Sequence, residues 1–127
     1  NCAFAIIGVE YNTDAYTTSL GGVQFRMTNS ITKPGEALLD YMLNPRYGCA
    51  IPLSRIDTAS LTALDAYSDE EIVYGPGPTE HQARYRLDGP VATGRDCLTN
   101  LQYMVDACDS WLQYSELTAK WSVIIIK

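Results

Sequence analysis

The sequence predicts an α+β fold, three helices packed on antiparallel strands within one domain or fragment spanning residues 1–127. Three observations predict it. Apolar residues recur at helical spacing through Cys97, Leu98, Leu101, Met104, Val105 and Cys108. Proline, asparagine and aspartate punctuate residues 34–57 where helices start and stop. Strand-like runs rich in β-branched or apolar residues, "CAFAIIGVEY" and "KWSVIIIK", occupy the two ends.

The elements follow in order. Residues 1–31 hold two leading strands, at 3–11 and 22–28, separated by the polar, glycine-terminated "NTDAYTTSLGG". Residues 32–110 are rich in helix and include one strand. Pro34 suits a first helical turn, where its missing N–H costs nothing, and Glu36 complements the dipole there. Leu38, Leu39, Met42 and Leu43 share one face, and the helix must stop near Asn44 because Pro45 disfavours helical geometry before it. Gly48 follows as a turn residue. A second helix starts at Asp57, a good N-cap, with Ile56 and Leu61 in the relation of a hydrophobic staple. Leu61 and Leu64 face inward, Tyr67 lies near the same side, and the helix runs out in "SDEE". Acids at a helix C-terminus oppose the dipole, so Asp69, Glu70 and Glu71 either face solvent or mark a basic partner. "GPGP" at 75–78 is an exposed turn. After it Ala83, Tyr85 and Leu87 alternate with Gln82, Arg84 and Arg86 as in a half-buried strand. The third helix opens on Thr93 and Asp96 in capping-box spacing. Residues 111–127 form a closing hairpin that turns near Leu117 and Thr118.

Composition narrows the function. Hydrophobic residues make up 46% and charged residues 19%, ordinary for a globular domain. With a net charge of −6 and no basic cluster, nucleic acid is a poor partner. No apolar stretch approaches the roughly 20 residues of a transmembrane helix. Cysteines at 2, 49, 97 and 108 form no C-x-x-C pair, and His81 is the sole histidine, so zinc sites and histidine-dependent triads have little material. Cys97 and Cys108 return to nearly one helical face, a packing pattern, and four free thiols are expected. No nucleophile motif or phosphate loop is present. The acids Asp57, Asp65, Asp69, Glu70 and Glu71 read as caps or exposed helix positions. No catalytic, cofactor or metal residue is therefore assigned, and a hydrolase is the weakest reading. Tyrosines near turns, Tyr41, Tyr47 and Tyr74 among them, suit a protein interface, a sugar site or the cover of a small core. Tyr41, Tyr67, Asp69, Glu70 and Glu71 are the candidate interface. Strand-like ends would expose open edges. With neither an initiator methionine nor a signal-peptide pattern at the start, a piece of a larger protein is favoured over termini that pair with each other.

The order and spacing of several short motifs carry a resemblance. Asn44-Pro45-Arg46-Tyr47-Gly48 is followed by Ile51-Pro52, Ile56-Asp57, Ala59-Ser60 and Asp69-Glu70, then by Arg95-Asp96 with Leu98, Leu101 and Cys108. From Lys33 to Ile126 the chain resembles the tail-tip (hub) proteins of long-tailed bacteriophages, the lambda-type host-specificity protein J family. It departs at Ser68, where that pattern often has cysteine, at Cys49-Ala50, where leucine-glycine is usual, and in its GPGP loop. The resemblance implies a structural, homotrimeric virion protein at the distal end of the tail, assembled in the bacterial cytoplasm. Such a protein closes the tail tube and supports the central fibre, contacts tube, distal-tail and tape-measure proteins, and acts in host attachment and DNA delivery. It also implies terminal strands that continue into β-barrel hub domains, and it supplies no catalytic residue. A carbohydrate- or receptor-binding module at the tip is the alternative.

Overall fold

A computed structural model describes residues 30–75, 77 and 80–126. The expected strands at 3–11 and 22–28, and Cys2, lie outside the described residues. Within them the α+β expectation holds: three helices accompany two small antiparallel sheets.

Helix α1 spans Pro34–Leu43, with Pro34 opening it as its fixed φ allows. Lys33 before it makes no side-chain cap. The cap comes from another helix, where Asp65 Oδ1 accepts the Gly35 N–H at 2.6 Å. Glycine is needed here, since a Cβ at Gly35 would collide with the Leu61 carbonyl of α2. The helix stops as Pro45 requires, with Asn44 already extended (φ −70°, ψ 121°). The Asn44 side chain then builds the turn, its Oδ1 accepting from the N–H groups of Arg46 (2.9 Å) and Tyr47 (3.3 Å). Gly48 passes so close to the Tyr41 carbonyl that no side chain fits. Cys49 N–H donates to Tyr41 O (3.0 Å) and Ile51 N–H to Met42 O (2.8 Å), folding the turn back on its helix.

A short 3-10 turn, Leu53–Arg55, leads to α2, Thr58–Asp69. Asp57 caps it, accepting from Ala59 N–H at 3.2 Å. Ile56 and Leu61, the expected staple, are both buried in one core. Past Asp69 the chain enters a strand that the sequence reading does not contain. Strand β1, Glu71–Val73, pairs antiparallel with β2, His81–Ala83. The GPGP loop lies in their connection, and Gly75 takes a left-handed φ of 81° that favours glycine. The single strand expected across 82–87 is therefore corrected: its ladder ends at Ala83. Beyond it, Arg84 N–H donates to Glu70 O, Tyr85 N–H to Ser68 O and Leu87 N–H to Thr32 O, so the alternation reflects packing beside the end of α2.

Helix α3 spans Cys97–Asp106. Its cap is Asp96, whose Oδ1 accepts from Thr99 N–H at 2.8 Å while Oδ2 accepts from Thr99 Oγ1 at 2.6 Å. This corrects the expected start at Thr93; two candidate caps lie three residues apart, and the later one has the partner at its third helical position. Leu98, expected on the apolar face, is exposed, and Asn100 takes the buried place on that turn. Cys108 lies beyond the helix end and is wholly buried, whereas Cys97 stands half-buried at its start, so the two do not pack together as one helical face.

Strands β3, Ser110–Ser115, and β4, Lys120–Ile125, form the expected hairpin in a register running from Ser110↔Ile125 to Ser115↔Lys120. Asp57 N–H donates to Trp121 O at 2.8 Å, and Val123 N–H to Ser60 Oγ at 3.1 Å, tying β4 to the start of α2. The core lies between the hairpin and the helices: Leu38 and Met42 from α1, Leu61 and Leu64 from α2, Leu101 and Val105 from α3, Val123 from β4.

Candidate interaction surfaces

The Asn44–Gly48 turn presents only part of itself. Pro45 and Arg46 are exposed, while the half-buried Tyr47 turns its hydroxyl to donate to Asp40 Oδ2 at 2.6 Å. Tyr41, expected as an exposed interface residue, is 4% accessible and belongs to the core. Its position explains the difference: one residue before Met42, it meets α3, where Asn100 Nδ2 donates to its hydroxyl at 2.8 Å. Arg95 stacks its guanidinium 5.2 Å from the ring centre of exposed Tyr103.

The acids at the end of α2 find bases within the chain. Lys33 and Arg86 hold Asp69 at 2.6 and 2.8 Å, and Arg84 holds Glu70 at 2.8 Å. Glu71 lies 3.9 Å from His81 across the β1–β2 ladder. The Lys33 hydrogen bond keeps the Asp69 carboxyl below the ordinary aspartate range, and Asp69 in turn raises Lys33. Asp65, one turn earlier, behaves oppositely: burial raises its carboxyl despite the N–H bonds from Gly35 and Glu36. Half-buried Tyr67 carries the Arg84 guanidinium 4.5 Å from its ring centre and lies 6.3 Å from Tyr85. The Tyr85 hydroxyl donates to Asp109 Oδ2 at 2.6 Å, which pushes its ionisation up to about 12.

A different surface surrounds the hairpin. Trp111 and Ile124 are cross-strand partners on its outer face and remain 63% and 45% accessible. Leu117 at the hairpin tip is fully exposed. Around one side of the hairpin runs an open groove of about 600 Å³ lined by Cys49, Ile51, Pro52, Arg55, Tyr114 and Trp121. The Tyr114 and Trp121 rings lie 5.1 Å apart at 54°, an edge-tilted pair. Of the motif residues read from the sequence, this groove gathers Ile51 and Pro52 beside the buried Ile56; Arg95 and Asp96 lie at the start of α3. The residues that sequence reasoning passed over are Arg55, Trp111, Tyr114 and Trp121. One signal pointed to the hairpin that carries three of them: "VIII" is β-branched at consecutive positions, as strands favour.

Among the described residues no three histidine, cysteine or acidic side chains gather as a metal site. No described helix is long and apolar enough to cross a membrane. Comparison with models of known protein families, with curated proteins and with solved structures finds no match for this chain.

Proposed function

We propose that this chain is a structural element of a long-tailed phage tail tip, a hub protein that grips its neighbours through the hairpin and groove. The observation that carries the reading is the outward pair Trp111 and Ile124 beside a groove holding Arg55, Tyr114 and Trp121. Tryptophan, tyrosine and arginine supply most interface hot spots, because they bring large area and directed contacts. The spacing of the Asn44–Gly48, Ile51-Pro52 and Ile56-Asp57 motifs supports the family. In this reading the motifs serve shape: they stop α1, turn the chain and start α2 in a fixed relation. A homotrimer closes the tail tube, contacts tube, distal-tail and tape-measure proteins, and supports the central fibre in host attachment and DNA delivery.

Imaging of the parent particle with this segment traced in place tests the proposal. The expected result puts Trp111, Ile124 and Arg55 against neighbouring subunits. A map in which the hairpin's outer face and residues 36–71 all face solvent would overturn it. A second reading, a carbohydrate- or receptor-binding module, draws on the same groove, since two aromatics beside a guanidinium can stack on and hydrogen-bond a sugar. Glycan-array binding that disappears in Trp121→Ala supports that reading; a blank array with the unaltered chain removes it.

A further inference from the structure

We propose that Cys49 and Cys97 form an intramolecular disulfide when the folded chain meets a small-molecule disulfide oxidant. Cys49 follows the α1 turn, and Cys97 opens α3, far away in sequence. Three bonds bring them together. Cys49 N–H donates to the Tyr41 carbonyl at 3.0 Å, fixing the turn. Cys97 Sγ lies 3.4 Å from the carbonyl oxygen of Gly48, the residue next to Cys49. Asn100, on the first turn of α3, holds the Tyr41 hydroxyl at 2.8 Å and so locks that turn to α1. Cys97 Sγ therefore stands beside the Gly48–Cys49 peptide, on the same turn that carries the Cys49 thiol. Burial is the main reason the Cys49 thiol is pushed up to about 12.

Both sulfurs are half-buried, and Cys49 lines the open groove, which gives a reagent its route. Cys108 is wholly buried beyond the other end of α3 and does not compete. The chemistry balances with oxidised glutathione. Cys97 releases its proton to solvent, and its thiolate attacks one glutathione sulfur, displacing the other half as a thiolate that takes up a proton. Cys49 then loses its proton and attacks the Cys97 sulfur of the mixed disulfide. The Cys49–Cys97 bond forms and the second glutathione leaves. Two cysteines are oxidised, and one glutathione disulfide is reduced to two thiols. The product staples the Asn44–Gly48 turn to α3 and fixes one wall of the groove. This holds whatever partner the groove takes.

The test uses the full chain, incubated with oxidised glutathione, quenched by alkylation and read by intact mass and peptide mapping. The expected product is lighter by two hydrogens, has two fewer alkylated thiols, and yields one linked pair containing Cys49 and Cys97. Its thermal midpoint rises by about 5 °C or more and returns on reduction. The link disappears in Cys97→Ser, and also in Cys49→Ala, which keeps the conclusion available if either variant fails to fold. A stable mixed disulfide with glutathione, a link through Cys2 or Cys108, or thiols that remain unreacted would each overturn the assignment.

Discussion

The end of α2 and the outer face of the hairpin are both exposed, and they are built on opposite terms. At α2, Asp69 and Glu70 are already paired with Lys33, Arg86 and Arg84, and the Arg84 guanidinium covers the Tyr67 ring. On the hairpin, Trp111 and Ile124 meet each other and otherwise face water, with Leu117 bare at the tip. Exposed ion pairs contribute roughly 0–1 kcal/mol each, so little is gained by exchanging them for a partner's charges. Covering a large apolar side chain contributes about 1.5–3 kcal/mol. The acidic run draws the eye in the sequence, yet the uncovered apolar area has more to gain from contact.

The largest test of this contrast removes a side chain from the helical side. Leu64 is fully buried between the helices and the hairpin, and Leu64→Ala should cost about 3 kcal/mol in urea unfolding. A cost below about 1 kcal/mol would mean that α2 is not the centre of the core. Next, Asp96→Ala should cost about 1 kcal/mol by the same measurement, while Thr93→Ala changes little, because Asp96 alone caps α3. Ser68 is buried with its hydroxyl unpartnered. Ser68→Ala should therefore raise stability, by about 1 kcal/mol or less. On the hairpin, Trp111→Ser should move stability by no more than about 0.5 kcal/mol; light scattering should show the unaltered chain associating as concentration rises and the variant staying monomeric. A large loss of stability there would show that the ring has a partner within the chain beyond Ile124.

The smallest effect separates two acids one turn apart on α2. Asp65 is raised by burial, so its folded form holds a proton more tightly than its unfolded form. Its contribution is full below the ordinary aspartate value of 3.8 and is lost as pH rises through its folded value. Asp69 is lowered by Lys33, so its contribution is present above 3.8 and is lost as pH falls through its folded value. Unfolding midpoints measured between roughly pH 3 and pH 6 should show a weaker acid loss in Asp69→Asn and a weaker decline on the rising side in Asp65→Asn. Equal profiles in both variants would remove the distinction.

Much of the helical side could be read along the chain. The Pro34 start, the Asn44-Pro45 stop and the Asp57 cap are each decided within a few residues, and all three stand where expected. Thr93 and Asp96 show the limit of that reading, for both satisfy the local rule and only one is used. Strand β1 was illegible because three residues of "EIV" carry no period of their own; they form a strand because His81–Ala83 returns beside them. Of the candidate interface, Tyr67, Asp69, Glu70 and Glu71 do lie near one another, but Tyr41 is held in the core by a partner 59 positions away.

By itself, the sequence determined where α1 and α2 begin, where α1 stops, and that the chain closes on a hairpin, because caps, prolines and turns act through neighbouring backbone groups. Tertiary structure alone decided that Asp65 caps α1, that Asn100 buries Tyr41, that Cys97 reaches the Gly48 carbonyl beside Cys49, and that Trp111 faces water. Those outcomes depend on which elements come to lie beside one another, and residues so far apart become neighbours only after the core has closed.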